Sequence, residues 1–116
     1  TESNFYNILL NYHTQSDTFI RYLRGSESIN LHAFFNEFSA ALQFPYYFGK
    51  NWSAFDECLN DLRLLNEKKI IIFISNTQEI LQQEDKSQFN IFIDILTNAT
   101  LEWTSKNISF QVIFQC

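Results

Sequence analysis

The 116-residue chain is poor in the residues that bend, staple and ligate: one proline, two glycines, two cysteines, two histidines and no methionine. Cys58 and Cys116, without a CxxC spacing, give neither a disulfide framework nor a metal site. They fit two reduced thiols of a cytoplasmic protein. His13 and His32 are too far apart for the closely spaced ligands of a zinc site. Gly25 and Gly49 stand alone, which excludes a GxGxxG or Walker phosphate loop. No metal or other cofactor is therefore expected. No stretch approaches the roughly 20 apolar residues of a membrane span, and the opening TESNFYN lacks the basic-then-apolar order of a signal peptide. Basic residues are also few, eight Lys and Arg against thirteen Asp and Glu, for a net charge of −5. That balance argues against nucleic-acid binding, which needs clustered cations. It fits a basic partner, and equally an acidic protein with no charged partner at all.

Catalytic constellations are missing as well. Cys58 has no histidine near it in sequence and reads as a small structural residue rather than a nucleophile. Asp56 and Glu57 are adjacent, so on a helix they diverge by about 100° and cannot form a facing acid–base pair. The chain is not expected to be an enzyme.

Phenylalanine is plentiful: thirteen of 116 residues. At this length one domain can bury a core without staples, and rings with β-branched residues should fill it. Phe5, Ile8, Leu9 and Tyr12 fall on one helical face. Asp17 to Leu23 reads as a strand that ends in a turn at Arg24-Gly25-Ser26. Leu31, Phe34, Phe35, Phe38, Ala41 and Leu42 form a helical stripe, capped by Asn30 and stopped before Pro45, with Ile29 able to staple onto Phe34. Gly49 supplies freedom for a tight turn, and Asn51 caps a helix with Trp52, Phe55, Leu59 and Leu62 inward. On that helix Ser53, Asp56, Glu57 and Asn60 face outward. The run Ile70 to Ser75 suits a strand buried on both faces. A short helical turn follows at Thr77 to Leu81. Asp85 or Ser87 then caps a longer helix with Phe89, Phe92, Ile93 and Leu96 inward, and Ile108 to Gln115 alternates as a closing strand. Strands separated by helices imply crossovers, hence an α/β fold with a parallel sheet.

One segment combines what the rest lacks. Phe44 to Leu62, FPYYFGKNWSAFDECLNDL, holds the proline, a glycine, one tryptophan, one cysteine and three consecutive rings. Tyr46, Tyr47, Phe48 and Trp52 either cover the core at a loop or stand as flat contact anchors; composition alone does not choose. Asp56 and Glu57 fit a solvated helix face. With Asn60, and beside Tyr47, Gly49 and Asn51, they also fit a carboxylate surface that stands in for phosphate in a basic cleft.

Read at Pro45, Tyr46, Tyr47, Phe48, Gly49, Asn51, Trp52, Ala54, Cys58, Leu59, Asp61 and Leu62, this segment resembles the barstar family of ribonuclease inhibitors. The likeness extends over roughly Asp17 to Gln115. It implies a barstar-like α/β fold, a three-stranded parallel sheet packed with helices in two layers. A single domain would span residues 1–116, with 1–16 as an N-terminal extension. It implies a cytoplasmic immunity protein, monomeric when free, that binds a cognate ribonuclease toxin one-to-one and occludes its active site. Tyr47, Phe48, Gly49, Asn51, Trp52, Ser53, Ala54 and Glu57 fall on the family's binding positions, Glu57 on its principal acidic one; Asp56 and Asn60 complete the candidate contact set. The chain departs from the pattern at Ser53, where the family often has a second acid, and at Phe48, which replaces a frequent Tyr. It departs also at Asp56 and Asn98, where the best-known member has a tryptophan and an acid. These changes leave open a barstar-like protein whose target is not a ribonuclease.

Overall fold

The computed structural model describes residues 17–45 and 48–116. The helix expected over Phe5 to Tyr12 lies outside them, as do Tyr46 and Tyr47. Strand β1 (Thr18–Arg24) runs into a 3-10 turn at Gly25–Glu27, followed by helices α1 (Leu31–Leu42) and α2 (Trp52–Leu59). Strand β2 (Lys69–Ser75), a 3-10 turn at Thr77–Glu79, helix α3 (Lys86–Ser105) and strand β3 (Ser109–Phe114) complete the order. The sheet is β1-β2-β3 and parallel throughout, with Phe19, Ile70 and Phe110 in one row. The α/β architecture expected from the sequence is the one observed.

The strand in the middle is the one with the unbroken apolar run. Ile70 through Ser75 are all buried, because a central parallel strand meets neighbours on both faces. On one face Phe19, Leu23, Ile70, Ile72, Ile74 and Phe110 join the main core with residues of all three helices. On the other, Ile20, Ile71 and Phe73 form a second cluster with Ile113 against it and no residue of the described helices.

Phe34 is the hub of the main core. Its ring lies 4.5 Å from that of Phe38, 5.0 Å from Phe92, 5.2 Å from Trp52 and 5.4 Å from Phe55. Ring pairs of this kind add roughly 0.5–1.5 kcal/mol each beyond burial, so the phenylalanine stripe both fills and orients the interior.

Each α-helix begins where a capping side chain sits. Asn30 accepts from Ala33 N, Asn51 from Ala54 N, and Asp85 from Ser87 N. Ser87 also donates its hydroxyl to Asp85, and these bonds hold the Asp85 carboxyl below its usual range. Helix α1 ends at Gln43, which takes the left-handed conformation (φ 54°) two residues before Pro45.

The expected stripe through Leu62 needs correction. Helix α2 stops at Leu59, and the chain turns at Asn60 and Asp61, where Asp61 N bonds Cys58 O at 3.2 Å. Leu62 is buried by this turn rather than by helical periodicity.

Candidate partner-contact face

Helix α2 has only eight residues, too few to hold its shape alone in water. Packing and its two ends fix it. At the start, Asn51 Oδ1 accepts from Ala54 N at 2.8 Å, and Asn51 Nδ2 donates to Gly49 O at 3.3 Å. Trp52 packs its ring 5.1 Å from Phe35 and 5.6 Å from Phe55, and its Nε1 donates to Gln88 Oε1 at 2.7 Å. At the far end, Trp103 Nε1 donates to Leu59 O at 3.1 Å. Two indole N–H groups thus clamp α2 to α3, one at each end.

The turn that leads into α2 is seated by Phe48. Its N–H donates to Pro45 O at 2.9 Å, and its ring lies 5.1 Å from Phe44 and 5.9 Å from Phe35. Phe48 and Trp52 are both half-buried and packed on the core, so each is an anchor of the face before it is a contact. Gly49, Lys50, Asn51 and Ser53 are exposed, and Ala54 is half-buried between them. The conformational freedom expected of Gly49 is supplied elsewhere. Lys50 takes the left-handed conformation (φ 52°), and neither glycine has a positive φ. Space is tight at Gly49 all the same: an added Cβ would lie 3.0 Å from Asn51 Nδ2.

The outward polar residues divide. Asn60 Nδ2 donates to Asp56 O at 3.0 Å and to Asp56 Oδ1 at 3.1 Å, and both side chains are half-buried. Asp56 and Asn60, expected on the outer face, are thus tied to each other at the end of α2 through Asn60 Nδ2, while Asn60 Oδ1 is buried without a hydrogen-bond partner among the described residues. Glu57 is exposed and has no hydrogen bond or ion pair among the described residues. It is the free carboxylate of the helix, at the rim of a cleft of about 780 Å³ bounded by the ends of β1, α1 and α2. Cys58 lines the same cleft, where burial, with the charges of Glu57 and Asp61 adding to it, pushes its thiol up from the ordinary 9.0. A thiol held protonated is a poor nucleophile, in keeping with a packing role.

The exposed Gly49–Asn51 turn, the seated rings, the capped short helix and the carboxylate of Glu57 make up the candidate face. A family model described as Barstar (barnase inhibitor) matches residues 18–115. The chain belongs to the barstar family. No curated protein matches it. The match covers every described element of the barstar-like domain, the turn and α2 included. Three supports of the face carried no sequence signal. Gln88 is one of several polar residues near the start of α3, and nothing local marks it as the acceptor for Trp52. Lys50 has no composition cue for its backbone. The Asp56–Asn60 bond requires the helix to end where it does. Among the described residues no helix is long and apolar enough to cross a membrane, and no group of His, Cys, Asp and Glu could hold a metal ion.

Proposed function

We propose that this barstar-family chain is a cytoplasmic immunity protein that binds a ribonuclease toxin one-to-one and blocks its active site with the Gly49–Asn51 turn and α2. The observation that carries this reading is Glu57: an exposed carboxylate without a partner, on a helix whose geometry is fixed before any partner arrives. A cleft that holds RNA phosphate is basic, and a preset carboxylate takes the phosphate's place there. The negative net charge speeds the encounter. Gly49, Asn51, Ser53 and Ala54 let the partner's backbone approach; Phe48 and Trp52 supply ring area, with Tyr47 as a further contact, and Asp56 with Asn60 stiffens the last turn. The chain itself performs no catalysis and uses no cofactor, nucleic acid or membrane.

The probe is the product of the gene beside this chain's, purified and titrated by calorimetry, with RNA cleavage as the activity readout. Glu57→Ala should weaken binding by about 2–5 kcal/mol, the usual loss when one side of a desolvated charge pair is removed, and leave the thermal midpoint unchanged. An acidic residue of barstar itself is a standard example of an interface hot spot, so a large effect at this position is adopted from the family rather than deduced from the geometry. Undiminished affinity would remove the phosphate-mimic role.

A second reading rests on Ser53. It is exposed where the family often has an acid, and Asp56 is turned toward Asn60, so α2 offers a single free carboxylate. That suits a toxin whose cleft is less basic than a ribonuclease's. Binding of the neighbouring gene product without any RNA-cleaving activity to inhibit would favour it.

A further inference from the structure

Arg21 occupies an unusual position for a cation. Its neighbours along the same face of β1, Phe19 and Leu23, are buried in the main core, and side chains two apart on a strand share a face. The guanidinium lies 4.0 Å over the Phe19 ring, and Nη1 donates to Ile20 O at 2.8 Å. Half-buried cations are normally met by a carboxylate. Arg24, on the same strand, has one: it donates to both Glu37 oxygens at 3.0 Å. Arg21 has no ion pair within 4.0 Å among the described residues and opens instead on the cleft that it lines together with Glu57, Asp61 and Arg63. Arg63, exposed and likewise without an ion pair among the described residues, stands on the same rim.

We propose that Arg21 and Arg63 together receive a carboxylate side chain of the protein that α2 engages, in a second pocket continuous with the Glu57 face. This rests on α2 being the contact face. The partner then presents a basic pocket to Glu57 and, beside it, an acidic side chain to the arginines. Such a pairing of opposite signs a few residues apart works as a selectivity device. A nuclease without the acidic group leaves two cations desolvated and unpaired, and one that has it gains charge-assisted, forked hydrogen bonds.

The sign of a charge reversal decides the matter. General steering by an acidic protein toward a basic enzyme predicts that Arg63→Glu raises affinity. The pocket predicts that it lowers affinity, by about ten- to a hundredfold, with Arg21→Gln lowering it by about tenfold. Both are measured by calorimetry against the product of the neighbouring gene, with Glu57→Ala as reference. Arg63→Glu, at an exposed position, keeps the pocket testable if Arg21→Gln, which loses the guanidinium over Phe19, fails to fold. In the complex, the Arg21 Nε–Hε resonance should shift, which a purely structural arginine would not show. Unchanged or raised affinity for Arg63→Glu and Arg21→Gln, while Glu57→Ala still weakens binding, overturns the pocket and leaves the function standing. Loss of effect at Glu57 as well overturns the contact face itself. Self-association of Arg21→Gln with unaltered affinity also overturns the pocket, and assigns Arg21 to guarding the edge of β1.

Discussion

The two glycines make opposite demands. At Gly25 an added Cβ would lie 2.2 Å from Asn76 O and 2.3 Å from Ser75 O. The end of β1 presses there on the backbone that leaves β2, and both neighbours are rigid. Gly25 is buried and belongs to the fold. Gly49 is exposed, and the nearest obstacle to a Cβ is the end of one side chain, Asn51 Nδ2 at 3.0 Å. Neither glycine is needed for a left-handed backbone. Among the described residues five others, Gln43, Lys50, Asn76, Leu81 and Asn107, take that conformation instead. A glycine inside the fold answers to packing, and a glycine on the proposed contact face would answer to whatever approaches it.

Substitutions at both turns test this contrast. Gly25→Ala should be the most damaging, a loss of about 3 kcal/mol in urea unfolding, because no low-energy shift separates the new methyl from two carbonyl oxygens. A mild effect would show that the crossing of the two chain segments is looser than its geometry. Asn51→Ala should cost about 1 kcal/mol of stability through loss of the α2 cap. It should weaken nuclease binding as well, since the cap sits in the face; a binding loss without a stability loss would make Asn51 a contact only. Gly49→Ala should change stability by no more than about 0.5 kcal/mol, with strain at Asn51 offset by a less flexible unfolded chain. Its effect should appear in affinity, and a stability loss as large as that of Gly25→Ala would erase the distinction between the glycines.

The smallest expected effect concerns Cys58. Its thiol is raised from 9.0 in the folded state, chiefly by burial and then by Glu57 and Asp61. The corresponding stability is fully present below the unfolded value and declines as pH rises through it toward the folded value. Unfolding midpoints should therefore slope downward above about pH 9, and Cys58→Ser should flatten that slope.

Much of this fold was legible in the sequence for physical reasons that act locally. Asn30, Asn51 and Asp85 cap helices because a short oxygen-bearing side chain placed before an apolar stripe has few better uses. Ile70 to Ser75 announced a central strand because only burial on both faces tolerates such a run. The proposed contact face was drawn from the aromatic turn and from Glu57. What sequence could not supply was the outcome of competition between distant groups. Leu62 kept the helical period, yet the chain had already turned at Asn60. Asp56 looked as free as Glu57, and only the folded last turn pairs it with Asn60. Arg21 reads as an ordinary strand residue until the fold brings Gln43, Glu57 and Arg63 around it in one cleft.

The paired indole bonds from Trp52 to Gln88 and from Trp103 to Leu59 have a thermodynamic consequence. A helix that forms only on binding adds its own folding to the heat capacity of association, as disordered inhibitors do. With α2 fastened at both ends beforehand, the heat-capacity change on complex formation should match the apolar area of the interface alone. The affinity should then owe little to ordering and most of its selectivity to which charges meet.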